Sequence, residues 1–381
     1  MSRAEALAAL KASYAELPAG LKITARLFEP ADAPGVARLF YQVYGEGYPV
    51  DDPYVPELYI EANRTGRIRA LVAAAPDGSI VGQAAFFQSS PPNKRCYEFG
   101  QLLVDKGYRG SFAAMRLYQF ALKNMFGQLP GVDAEFGEAV CHHVTTQKMS
   151  LLGGYPECGL EVGLMPKAAY AGEGATGRVS CLLQVRVVVP GNGPLFVPAC
   201  WRGQVEAILP AWPLERDVHA SGPETAPPMD LRTELEAQHF AFAGVTRLNI
   251  AMPGADFAAR IKAELAQAKG LGHALVEVFL NLGSPWAGRA AEDLRQAGFF
   301  FGGFAPLWFG DTAPGPDALL AQRFLTQEVL ADILTVRESG AAVAALVLAD
   351  MERAGREFGS PVAVLAGPPV KAAQTLGDQP G

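Results

Sequence analysis

Residues Gln101 to Phe126, QLLVDKGYRGSFAAMRLYQFALKNMF, constrain this chain more than any other stretch. A hydrophobic strand runs through a tight basic-glycine turn into an amphipathic helix. The first N–H groups of a helix have no partner within it, so such a turn leaves several of them pointing at one spot. The positive end of the helix dipole and the nearby Arg109 add to them. Together they make a site for phosphate or pyrophosphate.

The strand Tyr97 to Val104 alternates, which places Glu98, Gly100, Leu102 and Val104 on one face and Tyr97, Phe99, Gln101 and Leu103 on the other. Gly100 in mid-strand signals a bulge or close approach by a ligand. In the helix that follows, Arg116, Gln119 and Lys123 form a solvent face. Met115, Tyr118, Leu122 and Met125 turn mostly towards the sheet. Ser111 is the expected N-cap.

Around this unit the pattern is that of a mixed α/β protein. Strands are expected at 22–28, 68–74, 79–87, 96–104, 132–140, 158–164 and 179–189, with Pro76-Asp77-Gly78 as a hairpin turn. Helices are expected at 32–44, 55–63 and about 145–152. Pro190 to Pro198 reads as a linker. A second α/β stretch then runs as strand 245–251, helix 256–269, strand 273–280, helix 286–297, strand 299–309 and strand 319–325. Helices through about Phe358 and an unstructured tail from Gly367 close the chain. At 381 residues two domains are the default. The expected division is 1–190, 191–326, and 327–381 for the C-terminal helices and tail.

The two α/β stretches resemble each other. A shift of 144 aligns Gly154-Tyr155 with Gly298-Phe299 and Gly159 with Gly303; a shift of 145 aligns Phe112-Ala113-Ala114 with Phe257-Ala258-Ala259. An internal duplication with one short indel accounts for both.

Charge and cysteines exclude some function classes. A net charge of -7 argues against a nucleic-acid backbone as the main partner, although a local basic groove around Lys106 and Arg109 stays open. Five scattered cysteines without a CxxC pair, read with no signal peptide, point to reduced thiols in a soluble cytoplasmic protein. The longest apolar run near the C-terminus, Ala341 to Ala349, is too short to span a bilayer.

Val104, Asp105, Tyr108, Arg109 and Gly110, followed by a helix with Ala113 and Ala114, resemble the GNAT family of N-acetyltransferases. That family's turn is Arg/Gln-x-x-Gly-x-Gly/Ala, and Arg109, Phe112 and Ala114 occupy its three defining positions. Phe112 replaces the central glycine. The opening strand-helix-helix-strand-strand order and Gln147-Lys148 through Gly154-Tyr155 are similar to the family as well. The resemblance covers about 22–166 and extends to about 245–325 as a degenerate copy, where Pro253-Gly254 stands in place of Arg109-Gly110. It implies an acyl-CoA N-acyltransferase-like N-terminal domain followed by a degenerate lobe of the same kind. It also implies that Leu103, Val104, Arg109, Gly110, Ser111, Phe112, Ala113 and Ala114 hold acetyl-CoA, mainly through backbone N–H groups. A backbone N–H near Leu103 would serve as oxyanion donor.

Acetyl transfer needs a base to take a proton from the acceptor ammonium. Glu98, on the strand that the resemblance places along the thioester, is the first candidate, against a plain solvent-facing carboxylate. Glu138, which apolar neighbours would push up in pKa, is the second, and His142 in the His142-His143 loop is a third. No carboxylate or cysteine cluster has ligand spacing around those histidines, so a metal is not expected. The family's usual acid, a tyrosine on the late helix, is not evident; Tyr155 and Cys141 read as packing residues. Tyr41, Tyr44, Tyr48 and Tyr54 either wall an acceptor site or pack a surface loop. The expected function is transfer of an acetyl group to an unidentified small-molecule or peptide amine, with a homodimer as one possible assembly. A non-catalytic acyl-CoA sensor is the rival reading, and transfer of a longer acyl or an aminoacyl group a third.

Overall fold

The computed structural model describes residues 1–48, 50–212, 214–310 and 315–365, and the backbone of 371–372. The chain packs as two compact units, residues 1–89 with 97–135, and residues 90–96 with 136–381. This division follows contacts in space rather than chain order, and residue 190 falls within the second unit.

The first unit opens with α1 (Arg3–Ser13), where Ser2 and Glu5 close a capping box. β1 (Thr24–Leu27), α2 (Ala33–Tyr44) and α3 (Pro56–Arg64) follow, then β2 (Ile68–Ala74) and β3 (Ile80–Phe87). The hairpin expected at Pro76-Asp77-Gly78 joins these two strands, with Gly78 at φ +87°. β4 (Cys96–Val104), all but its first residue, and α4 (Ala113–Asn124) complete the unit. The strands pair antiparallel in the order β1-β2-β3-β4.

Two layers of helix cover this sheet. On one face Val36, Leu39, Phe40 and Tyr59 join Val72, Ile80, Ala85 and Leu103 in one core cluster. On the other, α4 brings Tyr118 to Phe99 and Phe126, which pack on Phe86, with ring centroids 4.8–6.0 Å apart. Each fully buried ring or leucine here is worth roughly 1.5–3 kcal/mol. The spacing predicts Met115 on the sheet side of α4, but Met115 is half exposed and Leu117 is buried. The buried stripe runs through Ala113, Leu117, Tyr118 and Ala121, which leaves 112 and 115 on the open side.

The second unit contains β5 (Ala134–Val140, from Phe136 on), α5 (Thr145–Leu152), β6 (Glu157–Met165) and β7 (Val179–Val187). Next come β8 (Pro194–Pro198), α6 (Arg202–Ile208), β9 (Asp217–Ser221), β10 (Glu234–Phe240), β11 (Val245–Met252) and α7 (Phe257–Gly270). β12 (Leu275–Asn281), α8 (Ala287–Gln296), β13 (Phe300–Ala305) and β14 (Ala318–Phe324) follow. Short strands β15 (Val329–Leu330) and β16 (Leu334–Thr335), the helix α9 (Glu338–Phe358), and β17 (Val364–Leu365) and β18 (Lys371–Ala372) end it.

The main sheet of this unit runs β5-β7-β6-β13-β14-β12-β11-β10. Its two arms repeat one topology: chain order β5, β6, β7 becomes spatial order β5-β7-β6, and β12, β13, β14 becomes β12-β14-β13. The arms join where Gly159 of β6 pairs antiparallel with Gly303 of β13. These are the two glycines that the 144-residue shift relates, so equivalent positions of the repeat meet each other. A Cβ on Gly159 would stand 2.8 Å from the Gly302 oxygen, and one on Gly303 2.5 Å from the Gly159 Cα, so the junction demands glycine. α9 covers it, with Asp350 accepting from the Phe301 N–H at 2.7 Å and Ser339 donating to Glu157 at 2.9 Å.

Three expectations change. Pro194–Pro198, read as linker, is a strand that pairs in parallel with β9 and buries Leu195 and Val197; the flanking prolines masked its apolar alternation. β10 is a largely exposed strand whose polar residues hid it. Lys371–Ala372 pair with β16, whereas the rest of the expected tail, apart from these two residues, lies outside the described residues. Among the described residues no helix is long and apolar enough to cross a membrane.

Candidate functional site

The site begins at a break in β4. Gln83 pairs with Leu103 but Ala85 pairs with Gly100, so Gln101 and Leu102 face a single residue of β3. This is a β-bulge, and Gln101 adopts φ +53°, a conformation that only a few non-glycine residues take. A buried chain of hydrogen bonds holds it. Tyr59 OH donates to Gln83 Oε1, Gln83 Nε2 donates to Gln101 Oε1 at 3.0 Å, and Gln101 Nε2 donates to Tyr48 Oη at 3.2 Å. Burial raises the pKa of both tyrosines, keeping them protonated donors or neutral acceptors. The expected alternation therefore stops at Gly100. Glu98 and Gly100 share the α2/α3 face with Leu103, because the extra residue inverts the phase of the strand. Gln83, the one polar residue in IVGQAAFF, was the sequence signal for this lock.

After β4 the chain turns on Asp105, which is fully buried. Its carboxylate accepts from Gly107 N–H at 2.9 Å, pairs with Arg38 at 2.9 Å and accepts from Gln42 Nε2 at 3.1 Å. α2 thereby fixes the turn. Lys106 pairs with Glu16, so it is not a free cation of a basic groove. Arg109 is exposed and has no ion pair or hydrogen bond to any described residue.

The helix starts one residue later than the sequence suggests. Phe112 is at the N-cap position, while Ser111 Oγ donates to Tyr108 O at 2.7 Å and accepts the Ala113 N–H at 3.1 Å. The N–H groups of Gly110 and Phe112 have no partner among the described residues. Those of Ala114 and Met115 have none within the helix. A Cβ on Gly110 would meet nothing within 4 Å, so the space before the turn is open. Phe112, in the place of a glycine, is 66% exposed and does not fill it. Unpartnered N–H groups and an exposed arginine in one turn are the donor types that bind a pyrophosphate. Leu103 itself is buried, and its side chain belongs to the core.

The base candidates fall in different surroundings. Glu98 is half-buried in the first unit, and its Oε1 lies 3.2 Å from where a Cβ on Gly100 would be; glycine leaves the carboxylate that room. Glu138, in the second unit, has an ionic rather than apolar neighbourhood, contrary to expectation. Arg247 pairs with it at 3.1 Å, and the same guanidinium holds the fully buried Glu161 at 2.7 Å and Glu277 at 2.8 Å. Burial raises the Glu277 pKa against the pull of Arg247. Sequence spacing could not find this cluster, because its members come from β5, β6, β11 and β12. His142, also in the second unit, faces Glu173 at 3.1 Å.

Tyr155 is buried, and burial pushes the Cys141 thiol up to about 12, so that thiol is an inert packing group. Of the tyrosines, Tyr54 is buried and donates to Gly45 O at 2.7 Å while accepting the Tyr48 N–H at 3.1 Å. Tyr48 meets Phe40 edge to face at 4.9 Å, and Tyr44 lies tilted against it at 6.0 Å. These rings pack the end of α2.

The matching turn of the second unit is closed. A Cβ on Gly254 would stand 2.4 Å from the Arg232 carbonyl carbon and 2.6 Å from the Leu231 oxygen. Gly254 N–H donates to Thr233 Oγ1 at 3.1 Å and Ala255 N–H to Leu231 O at 3.0 Å.

No protein-family model matches the sequence, and no curated protein matches it significantly. Solved structures that it resembles include an N-acetyltransferase from Staphylococcus aureus, 15% identical, with 44% of this chain covering 99% of that one at a TM-score of 0.34. They also include spermidine/spermine N-acetyltransferase from Vibrio cholerae (18% identical, 44% of this chain, 93% of that one, TM-score 0.33). A third is a GNAT family N-acetyltransferase from Escherichia coli in complex with CoA (20% identical, 46% of this chain, 86% of that one, TM-score 0.28).

Proposed function

We propose that the first unit binds acetyl-CoA at the 109–115 turn and that the protein transfers the acetyl group to an amine. The observation that carries this reading is that, among the described residues, the N–H groups of Gly110 and Phe112 and the side chain of Arg109 have no partner, with open space at Gly110. These groups would hold the pyrophosphate, and the thioester would lie along β4. A backbone N–H freed from the ladder at the bulge near Leu103 would polarise the thioester carbonyl. Glu98 would take the proton from the acceptor ammonium, directly or through water. The neutral nitrogen then attacks the carbonyl carbon, and the C–S bond breaks with its electron pair leaving on sulfur. The second proton of the nitrogen passes to that thiolate, directly or through water, so that the amide and the coenzyme A thiol leave. Glu138 is the weaker candidate, because it would have to act while paired with Arg247.

The test is calorimetric titration of the protein with acetyl-CoA and with CoA, followed by assay against a panel of small amines and peptide amines. Binding with turnover is expected. Glu98→Gln should lower turnover about 10²–10⁴-fold and leave acetyl-CoA binding intact. Binding without turnover on any amine would instead favour a sensor, and no binding to either ligand would sink the reading.

A further inference from the structure

β5 ends at Val140, and the bend after it carries His142 and His143. Glu173 ends the seven-residue 3-10 segment Lys167–Glu173, which is kinked at Tyr170, and brings its carboxylate to both rings. Its Oε2 lies 3.1 Å from His142 Nε2 and 3.6 Å from His143 Nε2. We propose that His142, His143 and Glu173 bind one divalent transition-metal ion of the zinc type.

Geometry supports this. The three ligand atoms lie within 4.8 Å of one another. Ligands at about 2.0–2.2 Å from a tetrahedral ion stand roughly 3.3–3.6 Å apart, so small side-chain movements close the set. A hydrogen-bonded pair explains less, since only one ring is within bonding reach of the carboxylate. The second nitrogen stands beside the same oxygen without bonding it.

The His142 ring is already placed. Its side chain is 5% exposed, packed 4.4 Å from the His143 ring and 4.7 Å from Tyr170. Its Nδ1 is buried with no hydrogen-bond partner, which leaves Nε2 as the ring's one polar outlet. His143 and Glu173 are partly exposed, which gives the ion an entry path and keeps a coordination position open to water. Two imidazoles and a carboxylate are a donor set for borderline ions rather than for calcium or magnesium.

One rearrangement is required. A metal-bound neutral imidazole carries its proton on Nδ1, whereas His143 Nδ1 now accepts the Thr145 N–H at 3.3 Å. That contact is long and exposed, and it would be exchanged for water. Sequence spacing carries no sign of this set, because its carboxylate arrives from thirty-one residues away. The site does not depend on acetyl transfer, but a bound ion would take the His142 lone pair out of proton chemistry.

The test uses the full chain, stripped with a chelator, then titrated calorimetrically with Zn²⁺ and by visible absorption with Co²⁺. We expect one ion per chain with Kd of about 1 μM or tighter, and the d–d bands of a low-coordinate cobalt site. Affinity should weaken in acid, where protons compete with the ion for the imidazole nitrogens. Glu173→Gln and His143→Ala, both at partly exposed side chains, should each bind at least tenfold more weakly. No binding by the unaltered protein overturns the proposal. So does unchanged affinity in both variants, which would assign the ion to other groups.

Discussion

Two strand–turn–helix units in this chain share a plan and differ in what stands before the helix. At 109–115 no described residue does: Gly110 faces open space and Arg109 pairs with none of the described residues. At 253–257 the chain's own residues 231–233 lie against Gly254 and take its N–H and that of Ala255. Both helices carry the same unpaired first-turn donors and the same dipole. The N–H groups of a turn before a helix are thus available to a ligand only where the fold leaves them unanswered. Where the Thr233 hydroxyl and the Leu231 carbonyl answer them, as at Gly254 and Ala255, the turn is a structural joint. Pro253 stands there where the first turn carries Arg109.

The largest effect should separate the two glycines. Gly254→Ala forces a Cβ into the backbone of 231–233, which cannot yield as a flexible side chain would. Denaturant unfolding should show a loss of about 3 kcal/mol, the upper end for overpacking. Gly110→Ala meets open space and should change stability by less than about 0.5 kcal/mol, while weakening acetyl-CoA binding. Equal losses at both positions would break the comparison.

Charge comes next. Arg109→Ala should cost about 2 kcal/mol in coenzyme A binding, the size of a charge-assisted contact. Pro253→Arg should not create a second site, since an arginine there adds charge but frees no donors. Calorimetry on Pro253→Arg that returned two coenzyme A molecules per chain would show that the closed turn lacks only its arginine.

Much of the first turn was legible because its signals are local. Hydrophobic alternation, Gly107 and Gly110, and the helical period of Arg116, Gln119 and Lys123 lie within one short stretch. Gly159 and Gly303 were legible as special positions too, since their close backbone approach admits no other residue. What the sequence concealed is non-local. The closing of the second turn depends on Leu231, Arg232 and Thr233, which lie some twenty residues before Gly254 and carry no signature of contact. Gln101 at positive φ follows from a hydrogen-bond chain through Gln83, Tyr59 and Tyr48 rather than from local propensity. Glu138 looked apolar in FGEAV because Arg247 comes to it from β11.

The smallest effect concerns the latch of the closed turn. Asp256 accepts from both the Thr233 hydroxyl and the Thr233 N–H at 2.8 Å, and these bonds hold its carboxyl below the ordinary 3.8. The unfolded chain therefore binds the proton first as pH falls. Stability from this carboxylate is present above its unfolded value and is lost as pH drops through the lowered value in the fold. Asp256→Asn should accordingly be slightly less stable than the unaltered protein at neutral pH. The gap in denaturant midpoint should narrow as both are taken into acid below 3.8, because a protonated carboxyl accepts as weakly as an amide. A gap that stays constant in that acid range would mean that the shape of the side chain, not its charge, keeps residues 231–233 over Gly254. The second turn would then remain shut in acid, and no anion should enter it at any pH where the protein is folded.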